Sequence, residues 1–258
     1  MAKVTSLRSK QAETGSDERQ LRIDLAAAFR LAAQFDWHES VGNHFSLAVS
    51  EDGRKFLMNP RFRHFSRIRA SDLLLLDGDD PETLNRPDAP EVTGWCIHGA
   101  LHRALPRARC VMHLHTRYAT ALSSLADPEV KPIDQNTARF YRRHAVDRHF
   151  GGLADSTEEG ARLARMLGNH DCMIMANHGV LVIGETVAQT FETLYYLERS
   201  CETLMLAYAS GRPINTLSEE IAEKTAQGWE RYDVKGLAQS FFAELKRNLD
   251  DEGATYAQ

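Results

Sequence analysis

Three histidines in this chain could do chemistry together. His113 and His115 end the short apolar run Cys110-Val111-Met112, which reads as a buried strand. Residues two apart on a strand point to one face, so both imidazoles can aim at one point. A third, His178, lies far along the chain in Asn177-His178-Gly179, between two more apolar runs. Three protein nitrogens with a fourth position left open are how catalytic zinc is held. Two half-buried structural histidines would give the same His-x-His spacing, so the rest of the chain has to decide between the two.

The elements that must position these residues follow from periodicity. Helical spacing predicts a helix over 18–35. Residues 45–49 alternate like a strand, Glu51-Asp52-Gly53 reads as a hairpin turn, and residues 55–58 pair back. Leu73 to Leu76 reads as another buried strand, followed by a proline- and acid-rich loop to Pro90. A helix is predicted over 93–105, with Thr93 as its N-cap. After the His-x-His strand come a helix over 117–126, a basic and aromatic stretch without clean periodicity over 127–152, and a helix over 156–167. The runs 172–175 and 180–184 are strands flanking His178. A long amphipathic helix over 186–208 and a terminal helix over 237–249 complete the pattern. Strands interleaved with helices on one core predict an α/β fold of three layers, α/β/α.

Composition narrows the function classes. The chain has 258 residues, 43% hydrophobic and 26% charged, an ordinary globular balance. A net charge of −5 argues against a broad nucleic-acid surface. No apolar run is long enough to span a bilayer. The first residues lack the apolar core of a secretory signal. Cys96, Cys110, Cys172 and Cys201 are scattered, which suits free thiols in a reducing cytoplasm. Residues 1–17 are polar and expected to be disordered, and residues 18–258 are expected to form a single domain with its core over about 24–208.

With these residues placed, the chain resembles the class II aldolase/adducin family, which includes fuculose-phosphate aldolase and ribulose-phosphate 4-epimerase. The anchors are Gly42-Asn43-His44-Phe45-Ser46, Ser71-Asp72-Leu73-Leu74, Ile97-His98 with Arg103-Ala104-Leu105-Pro106, residues 111–121, and Asn177-His178-Gly179-Val180. Thr93-Gly94-Trp95-Cys96-Ile97-His98 and Arg139-Phe140-Tyr141 are most similar to the adducin-like branch. The resemblance implies a mixed, largely antiparallel central sheet. It also implies His113, His115 and His178 as ligands of a divalent metal. Three imidazoles favour zinc, and manganese, cobalt and iron accept such ligands too. Asn43 is implied to offer its amide to a substrate, although Gly-Asn is also ordinary turn chemistry. His98 is expected to be structural, and His44 lies beside Asn43. The segment 135–143 corresponds to one that reaches a neighbouring subunit's site, within a homotetramer.

Two departures from the family pattern stand out. The family's acid/base residue lies four before the helix histidine, and His98 puts Gly94 there. Glycine carries no proton-transfer group. Glu91, Tyr141, His144 and a metal-bound hydroxide are the candidates to replace it, while Glu91 also reads as a solvated loop acid and Tyr141 as an interface aromatic. Sugar-phosphate members hold phosphate with a Thr-Pro-x-Gly turn and paired serines. Here Asn59-Pro60-Arg61-Phe62 and Val92-Thr93 stand in their places, so phosphate cradling is not expected. Arg61, Arg63, His64, Arg67 and Arg69 cluster by that turn, and arginine forks suit carboxylates, with Arg61 as the substrate-binding candidate; an exposed basic loop would look the same.

The resulting expectation is a divalent-metal-dependent carbon–carbon lyase, an aldolase or decarboxylase, on a small oxygenated carboxylic acid. Decarboxylation asks less of a protein acid at bond cleavage, which favours it slightly. The alternative is a non-catalytic, adducin-like binding or scaffold protein that retains the histidines. Animal adducins bind actin and spectrin through other segments, and their long basic tail is not seen in these residues, which favours the enzyme.

Overall fold

The computed structural model describes residues 17–232 and 236–258 in full. The disorder expected at the N-terminus falls outside these residues, apart from Asp17. The elements in chain order are α1 (Ala2–Gln34), β1 (His44–Ala48), β2 (Lys55–Met58), β3 (Leu74–Asp77), α2 (Val92–Ala104), β4 (Cys110–Leu114) and α3 (Arg117–Ser123). They continue with β5 (Ala145–Asp147), α4 (Thr157–Leu167), β6 (Cys172–Met175), β7 (Gly179–Gly184), α5 (Val187–Ala209), α6 (Glu219–Asp233) and α7 (Leu237–Asp251).

The seven strands form one sheet in the order β3-β2-β1-β4-β7-β6-β5. Every neighbouring pair is antiparallel except β5 with β6. The sheet is therefore mixed and largely antiparallel, as the resemblance implied. Side-chain alternation gives it two apolar faces. Cys110, Met112 and Leu114 of β4 join Phe29, Phe191 and Leu197 in a core beneath α1, α3, α5 and α7. Val111, Leu181 and Ile183 join Ile97, Leu101 and Leu163 in a second core beneath α2 and α4. Three layers follow, each wholly buried Leu or Phe contributing roughly 1.5–3 kcal/mol. No helix among the described residues is long and apolar enough to cross a membrane.

Four local expectations need correction. Leu74–Asp77 is an edge strand, with Leu75 exposed, rather than a fully buried one. The N-cap of α2 is Glu91, whose carboxylate accepts from the Gly94 N–H, and not Thr93. The stretch over 127–152 contains β5, only three residues long. A further helix, α6, packs on that stretch, its Glu223 and Glu230 paired with Arg143.

Candidate metal centre and its surroundings

His113 lies in β4 on the face turned toward α2, and His115 lies just past the strand end. The β6–β7 turn brings up His178 from the next hairpin, with Asn177 in the left-handed region at φ 55°. Gly179 makes the approach feasible. A Cβ there would lie 2.4 Å from the Leu114 carbonyl oxygen and 2.8 Å from His115 Cδ2, so only glycine lets β7 pass this close. One nitrogen from each of the three rings lies within 4.8 Å of the others.

The hydrogen bonds around the rings set their tautomers. His113 Nδ1 donates to the Val180 carbonyl at 2.9 Å. His115 Nδ1 donates to Glu39 Oε2 at 2.6 Å. Both ring hydrogens therefore point outward, and the two Nε2 atoms face each other 3.1 Å apart with lone pairs. Lone pairs that close repel unless a positive charge lies between them. The arrangement matches the outer-carboxylate or carbonyl–imidazole pairing that orients metal-binding histidines, so the residues fit a divalent ion. Burial, then neighbouring histidines, keeps His113 well below the usual imidazole range. Burial first and His115 next lower His178 to about 4. Neutral rings are the form that ligates. Among the described residues no other trio of His, Cys, Asp or Glu converges in this way.

Beside the trio lies a second polar cluster. His44 of β1 is directly opposite His113 in the sheet, and their rings stack with centroids 5.1 Å apart. Across from β1, α2 presents Gly94, His98 and His102 at four-residue spacing, one face of the helix. The His44 ring fills the space a side chain at 94 would enter: a Cβ built on Gly94 would lie 3.0 Å from His44 Cγ and Cδ2. His44 Nδ1 meets His98 Nε2 at 2.8 Å, and Ser46 Oγ meets His98 Nδ1 at 2.5 Å and His102 Nε2 at 2.7 Å. His102 Nδ1 donates to the Ala108 carbonyl at 2.6 Å. At the outer end, His44 Nε2 lies 3.3 Å from Thr93 Oγ1 and 3.8 Å from Glu91 Oε2, and Thr93 hydrogen-bonds Glu91.

The remaining candidates are dispersed. Glu91 is half-buried beside His44, a helix cap and not a free loop acid. Asn43 is buried at φ 70°; its Oδ1 accepts from the Glu39 N–H, while its Nδ2 has no partner. Arg61 is exposed, lies 5.6 Å from the Phe62 ring and has no ion pair among the described residues. Tyr141 is half-buried against the Arg142 guanidinium, with no contact to the three histidines within this chain. His144 is occupied, donating to the Phe140 carbonyl and accepting from the Val130 N–H. Sequence reasoning missed Thr93 as a partner of His44, and Ser46 and His102 as members of the cluster behind it. Their signal was a two-residue spacing on a strand facing a four-residue spacing on a helix.

Known proteins resemble this chain over most of its length. The Class II Aldolase and Adducin N-terminal domain family matches residues 23–205. A Pseudomonas aeruginosa protein named for aldolase class 2 is 31% identical over 254 residues, covering 96% of each chain. Decarboxylase NovR of Streptomyces niveus is 30% identical over 220 residues, 82% of this chain and 81% of its own. The crystal structure of an aldolase II superfamily protein from Pseudomonas syringae superposes with a TM-score of 0.82 at 30% identity, over 93% of this chain and 96% of its own.

Proposed function

Since this chain belongs to the class II aldolase and adducin family, we propose that it is a divalent-metal-dependent carbon–carbon lyase acting on a small oxygenated carboxylic acid. The observation that carries the reading is the pair of facing Nε2 atoms on His113 and His115, each ring anchored outward through Nδ1, with His178 completing the trio. Zinc is the favoured ion for three imidazoles, with manganese, cobalt or iron as substitutes. A divalent ion there supplies the positive charge that draws electron density from a substrate carboxylate or carbonyl.

This chain's own residues supply the rest. The unpaired Asn43 Nδ2 is a buried donor that a substrate oxygen would satisfy. Arg61, exposed and outside any ion pair among the described residues, is the cation for a substrate carboxylate. No side chain at Gly94 can move a proton, which favours decarboxylation over aldol cleavage, and a decarboxylase among the relatives supports that preference. Tyr141 would serve only from a neighbouring copy, within a homo-oligomer. Four buried free thiols suit a cytoplasmic setting.

Zinc titration of chelator-treated protein by calorimetry tests the reading. One ion per chain is expected, with His115→Ala weakening binding at least tenfold. The same protein, zinc-loaded, is then offered small hydroxy, keto and aromatic acids, and released carbon dioxide or aldehyde is measured. Well under one bound ion per chain would favour a non-catalytic, adducin-like binding protein instead.

A further inference from the structure

One glycine of α2 is not explained by anything the chain packs against it. Gly94 leaves room for the His44 ring, and Gly160 of α4 leaves room for the Cys96 carbonyl oxygen, which would lie 2.2 Å from a Cβ at that position. Gly99 stands inside the helix, where glycine is less favourable than alanine. Yet a Cβ built on Gly99 would meet nothing within 4 Å. The room this glycine leaves is part of a cavity between α2 and α4.

The cavity measures about 520 Å³, within the range of small-molecule sites. Trp95, Gly99 and Arg103, at four-residue spacing, line it from α2, and Ala161, Ala164 and Arg165 line it from α4. The indole wall is fixed, because Trp95 stacks on buried Phe56 with centroids 5.8 Å apart. The only charged residues in the lining are the two arginines, and both are exposed, so cationic charge stands at the mouth. Arg103 donates to the Gly78 carbonyl at 2.8 Å and lies 3.6 Å from Asp79, which holds it in place. Arg165 has no ion pair among the described residues. Helical geometry turns this side of α2 about 100° from the Gly94–His98–His102 side, which faces β1. No lining residue belongs to the metal centre.

We propose that this cavity is a second small-molecule site, for an organic anion with a flat apolar body. The body lies against Trp95 and over Gly99. The anionic group, a carboxylate, sulfonate or phosphate, pairs with Arg103 and Arg165, whose guanidinium forks suit such groups. A neutral apolar ligand would leave the cationic mouth unused, and an inorganic anion would leave the apolar wall unused. Only a ligand with both parts meets both surfaces. The site is independent of the lyase reading, since the two share no residue.

Two fluorescent probes test this without substrate or metal. 8-Anilinonaphthalene-1-sulfonate is a flat apolar anion, and N-phenyl-1-naphthylamine is the same skeleton without the charge. Wild-type protein should bind one more equivalent of each than Gly99→Leu, whose side chain enters the cavity from a position with room for its Cβ. Gly99→Leu should melt no lower than the wild type, because leucine is the better helix former. Replacing both arginines, Arg103→Gln with Arg165→Gln, should weaken the sulfonate about tenfold at this site and leave the neutral amine within about twofold. If Gly99→Leu melts lower, this exposed pair decides. A probe count that Gly99→Leu leaves unchanged, or an equal loss of both probes in the arginine pair, would overturn the proposal.

Discussion

At residue scale the pairing of Gly94 with His44 explains most about this site. The two positions compete for one volume, since a Cβ at 94 would lie 3.0 Å from the His44 ring. The absent acid is thus a space already filled by an imidazole that is stacked on His113 and bonded to His98. Gly94→Ala tests how firmly. Helix propensity alone would gain up to about 1 kcal/mol, whereas overpacking a rigid neighbour costs about 1–3 kcal/mol. His44 is held at both ring nitrogens, so the second effect should win, with a net loss of about 1 kcal/mol in urea unfolding. A more stable variant would mean that the ring gives way freely and is not held as its hydrogen bonds suggest.

At the scale of elements, the site depends on contacts that no local pattern encodes. Helix α3 begins right after His115, yet its cap comes from α5: buried Glu198 accepts from the Thr116 hydroxyl at 2.5 Å, Tyr118 N at 3.0 Å and Ala119 N at 2.9 Å. Burial raises this carboxyl while the three bonds lower it. Glu198→Ala strands those donors and should cost about 2–4 kcal/mol, and Glu198→Gln, which keeps an acceptor, clearly less; thermal melts of the two variants check the order. Such long-range caps are why the sequence leaves gaps. The strands carrying His113 and His178 were legible because each is an apolar run ending at its histidine. Helix α6 was not, because among its described residues only Ala222 and Ala226 are fully buried while Ile221 and Tyr232 are exposed, so its apolar stripe is thin; Trp229, bonded to the Gln135 carbonyl and packed on Tyr196, and the arginine–glutamate pairs hold it. Strand β5 is too short to show a period. The trio was readable from spacing and resemblance together, whereas the cluster behind His44 needed the β1–α2 packing that sets His44 and Ser46 against His98 and His102.

For the whole molecule, the main consequence of this architecture is a dependence on pH. The sheet puts one apolar core on each face, and the second of them, beneath α2 and α4, shares its face with His44, His98, His102 and His113. Each of these rings is neutral in the folded chain because burial penalises its charged form, with His102 lowered to about 4 and His44 to about 3. An unfolded histidine takes up its proton near pH 6.5. Since the folded values lie lower, the unfolded chain binds protons first as the pH falls. The stabilisation is therefore intact above about pH 6.5 and drains away as the pH drops toward about 4. From pH 7 to pH 5 each such histidine should cost roughly 2 kcal/mol of unfolding free energy, at pH values where most carboxylates have yet to titrate. Urea unfolding of the metal-free protein at several pH values in that range should show this slope, and His102→Gln should flatten it by about one histidine's share. A wild-type stability that stays level from pH 7 to pH 5 would mean that these rings are hydrated or charged in the folded protein, against the burial seen here.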